Sequence, residues 1–597
     1  LRRKQPDYSE SVLVMTAINQ INKPKFLAQD LALYKGIMAD LFLGAEEPEQ
    51  DNSLLVAAIE HCCAEQQLQP HKAFVGKVIE LREMVLVRHG LMIVGDPLSC
   101  KTSCMRVLQG ALSLLCQREE VPCDLCADHE LTTDVYAMNP KSVPLDDLYG
   151  YNDEVSHEWS DGVLSQIYRA AVNAARDGDT NRKWVMFDGP VDAVWIENMN
   201  TVLDDNRKLC LVSGEMIPLS PYMNMLFETL NLNQASPATV SRCGMVYMNA
   251  PDCTVPYDPS GGGGDDGDKT VSPPPALCNW MPHVASWMQH TLPLTVSQSQ
   301  KCTNVITSLY SWIVPPLVRF MEDDLMPYQM IPRSGIAFVH ALNVMFGSLI
   351  HDHMRADEKV QGGEEGNASG ATSPPPSPNR TTRKGTAGSA GDEEEAAEDA
   401  SLRRGEIFAP VLDAVFLFSV VWSFGAVLNP AGRSQFEAYF RELASGKHEK
   451  FRPPRAFVSA GTMFPSGKGS VFDYFLEIEH IAGKDSSTPP TKRVVWATWK
   501  DLVARQGNVP IDPEASFDSI IIPTAEGRCM KELLDTLVRM GRHPLLVGAS
   551  GTGKSVYVQE FFNDRILPLT RRNEETPNIK AEFFCTMMQL STFTTPR

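Results

Sequence analysis

Short, continuous apolar runs alternate along this chain with longer stretches of helical periodicity. Between residues 74 and 88 apolar side chains recur at Phe74, Val78, Leu81 and Val85, which is one face of a helix. His89-Gly90 breaks that stretch, Leu91-Met-Ile-Val94 reads as a buried strand, and Ser103–Leu115 returns to helix. Lys183–Asp188, Met223–Phe227 and Gly244–Met248 are three further buried-strand runs. Helical segments separate most of the four, which predicts a mostly parallel α/β sheet. From Leu277 the period lengthens, and Ser299–Asp323, Ser334–Met354, Ile407–Leu428 and Ser434–Leu443 predict an all-helical subdomain. Strand-like pieces return at Val471–Ile478 and Arg493–Trp499. They are followed by a helix at Met530–Met540, a strand at Pro544–Val547, a helix at Val556–Phe562 and a strand at Ala581–Cys585.

Two low-complexity stretches interrupt this pattern. Gly261–Pro275 carries four consecutive glycines and a triple proline, and Ala356–Arg404 carries a Ser/Pro tract and an acidic run. Neither contains enough apolar surface to order itself. The expected organisation is a large α/β subdomain over 1–250 and a flexible insertion over 251–276. A helical lid follows in two parts, 277–355 and 405–450, separated by a disordered acidic insertion over 356–404. Residues 451–597 are expected to be a linker and the beginning of a second α/β core.

Composition narrows the function. A formal net charge of −20 argues against a general nucleic-acid binder, whose phosphate contacts need clustered Lys and Arg. The apolar run Ala414–Leu428, bounded by Asp413 and Pro430, falls short of the ~20 residues a bilayer requires, so no membrane partner is expected. Fourteen cysteines lack a disulfide spacing and suit a reducing cytosolic compartment. Cys123-Asp-Leu-Cys126 has no second pair at zinc spacing.

The candidate chemistry lies in two unequal phosphate loops. The second is complete: Gly548-Ala-Ser-Gly551-Thr-Gly553-Lys554-Ser555. The first, Gly95-Asp-Pro-Leu-Ser-Cys100-Lys101-Thr102, has cysteine where the second glycine of the pattern belongs. Backbone N–H groups of such a loop wrap a phosphate, Lys reaches the β/γ oxygens, and the hydroxyl ligates Mg²⁺. Lys101, Thr102, Lys554 and Ser555 are therefore candidates for ATP or ADP and Mg²⁺. Cys100 places a Cβ where the backbone favours φ > 0, which weakens the site without abolishing it. Asp188 ends its strand as a second Mg²⁺ candidate, but Gly189-Pro190 follows where a hydrolysing site places a glutamate. A positioned base contributes about 10²–10⁴ in rate, so the first site is expected to bind nucleotide and turn it over slowly. Arg242 closes a short helix, Ser236–Arg242, directly before a strand. From there it can serve as a surface salt bridge or reach the γ-phosphate of a neighbouring domain. The chain starts at Leu1, and its second loop stands near the last residue. A piece of a longer chain of repeated ATP-binding modules is expected.

Several long stretches resemble the dynein heavy chain family. Lys183–Asn206 and Ala235–Tyr247 are similar to its second AAA+ module, and Gly189-Pro-Val-Asp-Ala-Val-Trp195 is worded like the axonemal members. Pro24–Asp30 with Asp40–Gly44 resembles the entry to that module in inner-arm chains, although Leu43 replaces a usual proline. Phe416–Phe424 and Arg433–Phe440 are similar to the helical lid, and Ile521–Thr524 with Gly548–Ser555 to the opening of the third module. The resemblance implies an AAA+ ring that walks on microtubules using ATP. It implies that Arg242 is offered to the site of the preceding module, that the second module binds nucleotide with poor hydrolysis, and that the third is a regulatory ATPase site. It adds Pro523 and Thr524 to the nucleotide-binding set. It further implies contact with adjacent AAA+ modules, with microtubules through a stalk and with intermediate and light chains through a tail. Those last two elements lie outside this chain. The location implied is cytoplasm, cytoskeleton and the axoneme of cilia and flagella. Two other readings remain: an AAA+ chaperone or remodelling ATPase, and a non-enzymatic nucleotide-binding scaffold. An ABC-type transporter is disfavoured by the lack of an LSGGQ-like signature.

Overall fold

The computed structural model describes residues 9–22, 28–43, 52–116, 132–248, 255–256, 278–361, 411–448, 469–481, 491–507 and 522–566. Positions 154, 156, 157, 180, 205 and 221 are excepted, and isolated positions between 451 and 465 are added. The chain divides into two compact units at Val255/Pro256.

The first unit is built on a five-stranded sheet: β1 (Gly90–Gly95), β2 (Thr133–Met138), β3 (Arg182–Asp188), β4 (Met223–Thr229) and β5 (Gly244–Met248). Its order is β2-β3-β4-β1-β5, and every pairing is parallel. Both faces of a parallel sheet are covered, which is why its central strands read as unbroken apolar runs. Successive side chains nevertheless divide between two cores. Leu91, Ile93, Trp184, Met186, Leu226 and Val246 pack on one face, with the helices Ser53–Glu65, Lys72–Val87 and Lys101–Cys116. Met92, Val94, Val185, Phe187, Met225 and Phe227 pack on the other, with Val163–Arg176 and the short turns of 193–203. There Phe187 stacks on Phe227 at 5.0 Å and leans on Trp195 at 5.5 Å. The architecture is a parallel α/β sheet covered by helices on both faces, as the apolar pattern predicts.

In the second unit the helices Met281–Thr291, Gln300–Asp323, Gly335–Gln361, 411–424 and Pro430–Ala444 form an all-helical region. Its centre is aromatic: Phe416 meets Tyr310 at 5.0 Å and Phe346 at 5.4 Å, and Phe338 stacks on Phe424 at 5.1 Å. The run around Val415–Val421 is buried in this core, and no helix among the described residues is long and apolar enough to cross a membrane. An antiparallel hairpin follows, β6 (Tyr474–Ile481) with β7 (Thr491–Thr498). After the short helix Trp499–Gln506 come the helices Ala525–Arg539 and Lys554–Phe561, joined by the buried Lys531, which pairs with Glu560 at 2.6 Å.

Four expectations are revised. Strand β2 was not anticipated: it lies at the sheet edge with mostly half-buried side chains, so its apolar signal is weak. Helix Gly335–Gln361 runs through 356–361, where disorder was expected, because Ala356, Glu358, Lys359 and Gln361 are good helix formers. The expected strand Pro544–Val547 joins no ladder among the described residues, and its Leu545 and Val547 are exposed. A strand exists only with a partner, and the other strand expected in this region, Ala581–Cys585, lies outside the described residues. The segment Val471–Ile478 opens not as strand but as a turn, Val471–Asp473, because a Ser470/Asp473 capping box closes it. Cys123, Cys126 and most of both low-complexity stretches also fall outside the described residues.

Candidate nucleotide sites

The first loop leaves the C-terminal end of β1, which lies between β4 and β5 at the sheet's topological switch point, where ligands of open α/β sheets bind. It opens directly into the 16-residue helix Lys101–Cys116, whose free N–H groups and dipole favour an anion. Gly95 is required there: a Cβ would come within 2.2 Å of the Met248 carbonyl oxygen on β5. Lys101 turns back over the loop, its Nζ donating to the Gly95 and Asp96 carbonyls at 2.7 and 2.8 Å. Burial lowers its pKa, and the nearby Glu228, Asp96 and Asp188 act in the opposite direction.

The second loop has the same local geometry. Lys554 Nζ donates to Gly548 and Ala549 at 2.8 and 2.6 Å, the same two positions counted from each lysine. Its left-handed residues are Gly551 at φ +81° and Gly553 at φ +77°. The corresponding residues of the first loop are Leu98 at φ +65° and Cys100 at φ +64°. The first loop therefore follows the same backbone path with side-chain-bearing residues at both left-handed positions. Each costs roughly 1–2 kcal/mol against glycine. Cys100 was anticipated from the sequence; Leu98 was not, because the minimal motif leaves that position unrestricted. The donor set fits a Mg²⁺-nucleotide at both loops: backbone cradle, lysine, and Thr102 or Ser555.

Around the first loop the acids are arranged in an unexpected way. Asp188 stands exposed at the end of β3. Its ladder partner on β4 is Glu228, which is only 9% exposed. Thr102 donates its hydroxyl proton to Glu228, with Oε1 at 2.6 Å and Oε2 at 2.9 Å, and makes no hydrogen bond to Asp188. Burial raises the Glu228 pKa, the Thr102 hydrogen bond opposes that, and the Asp188 charge adds to it. Sequence reasoning assigned Glu228 no role, because its importance comes from register and from a partner 126 residues away.

Gly189 abuts the turn that follows β2: a Cβ there would meet Asn139 Oδ1 at 2.9 Å. Asp192 is not a stand-in base. It caps the turn Ala193–Ile196 by accepting from Trp195 N at 3.3 Å, and it pairs with Lys141.

Arg242 ends the helix Pro237–Arg242, capped by Ser236 and pinned by the buried Thr239, whose hydroxyl donates to Asn200 Oδ1 at 3.0 Å. Its Nε donates to Asp204. In the second unit Thr524 caps Ala525–Arg539 by accepting from Gly527 N at 3.0 Å, Pro523 precedes it, and Ser555 is exposed. The described structure does not bring Thr524 into hydrogen-bond contact with the second loop.

Three family models match the chain: the hydrolytic ATP binding site of the dynein motor region over residues 1–102, the dynein heavy chain AAA lid domain over 391–484, and the P-loop containing dynein motor region over 509–583. Dynein axonemal heavy chain 3 of Homo sapiens is 34% identical over 562 residues, 94% of this chain and 12% of that protein. Dynein axonemal heavy chain 12 of Mus musculus is 33% identical over 94% of this chain and 15% of that protein. For dynein axonemal heavy chain 1 of Homo sapiens the values are 32%, 94% and 11%. The chain thus spans between 11% and 15% of the length of these relatives.

Proposed function

The chain belongs to the axonemal dynein heavy chain family, and on that premise we propose that it is a segment of the ring of an ATP-driven, microtubule minus-end-directed motor of cilia and flagella. The first loop holds Mg²⁺-ATP or Mg²⁺-ADP as a lasting element of the ring, with little hydrolysis. The second loop belongs to a regulatory ATPase site. Arg242 is offered to the nucleotide of the preceding module. Adjacent AAA+ modules, microtubules, and intermediate and light chains are the partners of the whole motor.

The observation that carries the reading of the first loop is its pairing of a preserved cradle with a strand end lacking a base. Lys101 and Thr102 stand where phosphate and Mg²⁺ are held, while Asp188 is followed by Gly189. Arg242 suits a role outside its own module because Asp204 engages Nε, and the two terminal nitrogens make no hydrogen bond or ion pair among the described residues.

Replacing Arg242 with Ala in the intact heavy chain should slow hydrolysis at the preceding module by about 10³–10⁵, as loss of such an arginine does elsewhere. Microtubule-stimulated ATPase is the measurement. An unchanged rate would reduce Arg242 to a surface salt bridge with Asp204. The scaffold reading shares the geometry of the first loop and differs in one readout: it expects nucleotide to stay bound with no effect of Arg242→Ala on any turnover.

A further inference from the structure

A threonine hydroxyl has one proton to donate and two lone pairs to offer. In the first loop the proton of Thr102 goes to Glu228, within 2.9 Å of both carboxylate oxygens, and the lone pairs are left for a cation. The acid doing this comes from β4. It is the ladder partner of Asp188, the acid that the strand-end pattern designates. The two differ in setting: Glu228 is nine-tenths buried against the loop, whereas Asp188 is exposed and makes no hydrogen bond to Thr102.

We infer that Glu228 is the positioning residue of the first site: it orients the Thr102 hydroxyl toward Mg²⁺ and makes nucleotide retention there strongly dependent on a divalent cation. This rests on the reading of the first loop as a nucleotide site. Two adjacent carboxylates beside a polyphosphate repel it, and a divalent cation offsets that repulsion. Groups that stand behind a metal ligand set its orientation and its affinity. The Glu228 carboxylate faces the Thr102 hydroxyl with both oxygens within 2.9 Å, which places it to orient that ligand. A second acid at the site is therefore compatible with slow turnover.

The test uses the intact chain carrying Lys554→Ala, so that the second loop is silent, with a fluorescent ATP analogue titrated with and without Mg²⁺. Electron paramagnetic resonance of Mn²⁺ reads the cation directly. Glu228→Gln is isosteric and still accepts the Thr102 proton. It should cut the Mg²⁺-dependent gain in affinity by about ten- to a hundredfold, and weaken Mn²⁺ binding in parallel. Asp188→Asn should cost less on both readouts. Glu228→Asp keeps the charge but shortens the reach, and should fall between the parent and Glu228→Gln. An unaltered Mg²⁺ gain in Glu228→Gln, with a complete loss in Asp188→Asn, would overturn the inference and return the role to Asp188. If Lys101→Ala leaves the analogue bound as tightly as in the parent, the nucleotide reading itself fails, and the inference with it.

Discussion

The two phosphate loops invert the relation between motif quality and setting. The loop with the better sequence, Gly548–Ser555, is mostly exposed, and among the described residues the nearby core is the small cluster of Leu534, Phe561 and Ile566. The loop with the poorer sequence is seated between two large hydrophobic cores and against a five-stranded sheet. Their lysines nevertheless make the same pair of carbonyl contacts. Glycine makes a left-handed turn easy; a packed surround makes it obligatory. Leu98 and Cys100 are tolerated because the sheet and helix on either side over-determine the path, the condition under which backbone strain persists.

The comparison can be tested at its strongest point first. Gly189 is the feature expected to keep the first site slow, and the Asn139 side chain, just past β2, crowds its simple repair. Gly189→Glu alone should leave turnover near the parent's, because the new side chain meets Asn139. Gly189→Glu with Asn139→Gly should raise single-turnover hydrolysis at the first loop by about 10² or more, the contribution of a positioned base. No gain in the double variant would move the cause of slow turnover away from this strand end.

A smaller effect is expected from exchanging the loops' left-handed residues. Gly551→Leu with Gly553→Cys places the first loop's residues in the second, at about 2–4 kcal/mol of strain for the pair. Affinity for a nucleotide analogue at that loop should fall tenfold or more. The reverse exchange, Leu98→Gly with Cys100→Gly, relieves strain but adds unfolded-state entropy, and should stabilise the first unit by about 0.5–1 kcal/mol per site. Equal and opposite changes from the two exchanges, each read as nucleotide affinity and unfolding midpoint, would show that the surround contributes nothing.

The smallest effect concerns pH. His89 lies just before β1, its Nε2 2.9 Å from the Val202 carbonyl, and burial lowers its pKa. The unfolded chain therefore binds more protons than the folded one as pH falls through the ordinary histidine range near ~6.5. Stability of the first unit should decline on acidification through that window, and His89→Gln should flatten the decline in thermal unfolding.

How much of this could be read from the residues follows from where the information resides. Strands β1, β3 and β4 were legible because burial on both faces writes an apolar run, and edge strand β5 because its own residues, Gly244-Met-Val-Tyr-Met248, are apolar although Met245 and Tyr247 are half-buried. Edge strand β2 was not, since Thr133 and Asp134 open it with polar residues and its side chains are mostly half-buried. Pro544–Val547 shows the converse, an apolar run that joins no ladder among the described residues. The strain at Cys100 was legible because the residue before the lysine is fixed by the motif. The place of Glu228 was not: Thr102 and Glu228 meet only when β1 and β4 are laid side by side in register. Local chemistry is written locally, whereas the partner of a hydroxyl is settled by the sheet.

Strand β5 has a mechanical meaning. Its first residue, Gly244, follows Arg242 and Cys243, and its last, Met248, presses its carbonyl against Gly95 at the mouth of the first loop. Between them lies an uninterrupted ladder with β1, Leu91↔Gly244 through Gly95↔Met248. At about 3.3 Å per residue the strand is a strut of roughly 13 Å with no turn or bulge to absorb travel. The phosphate cradle and the arginine are thus the two ends of one rigid rod. A push on either end has little slack in which to disappear.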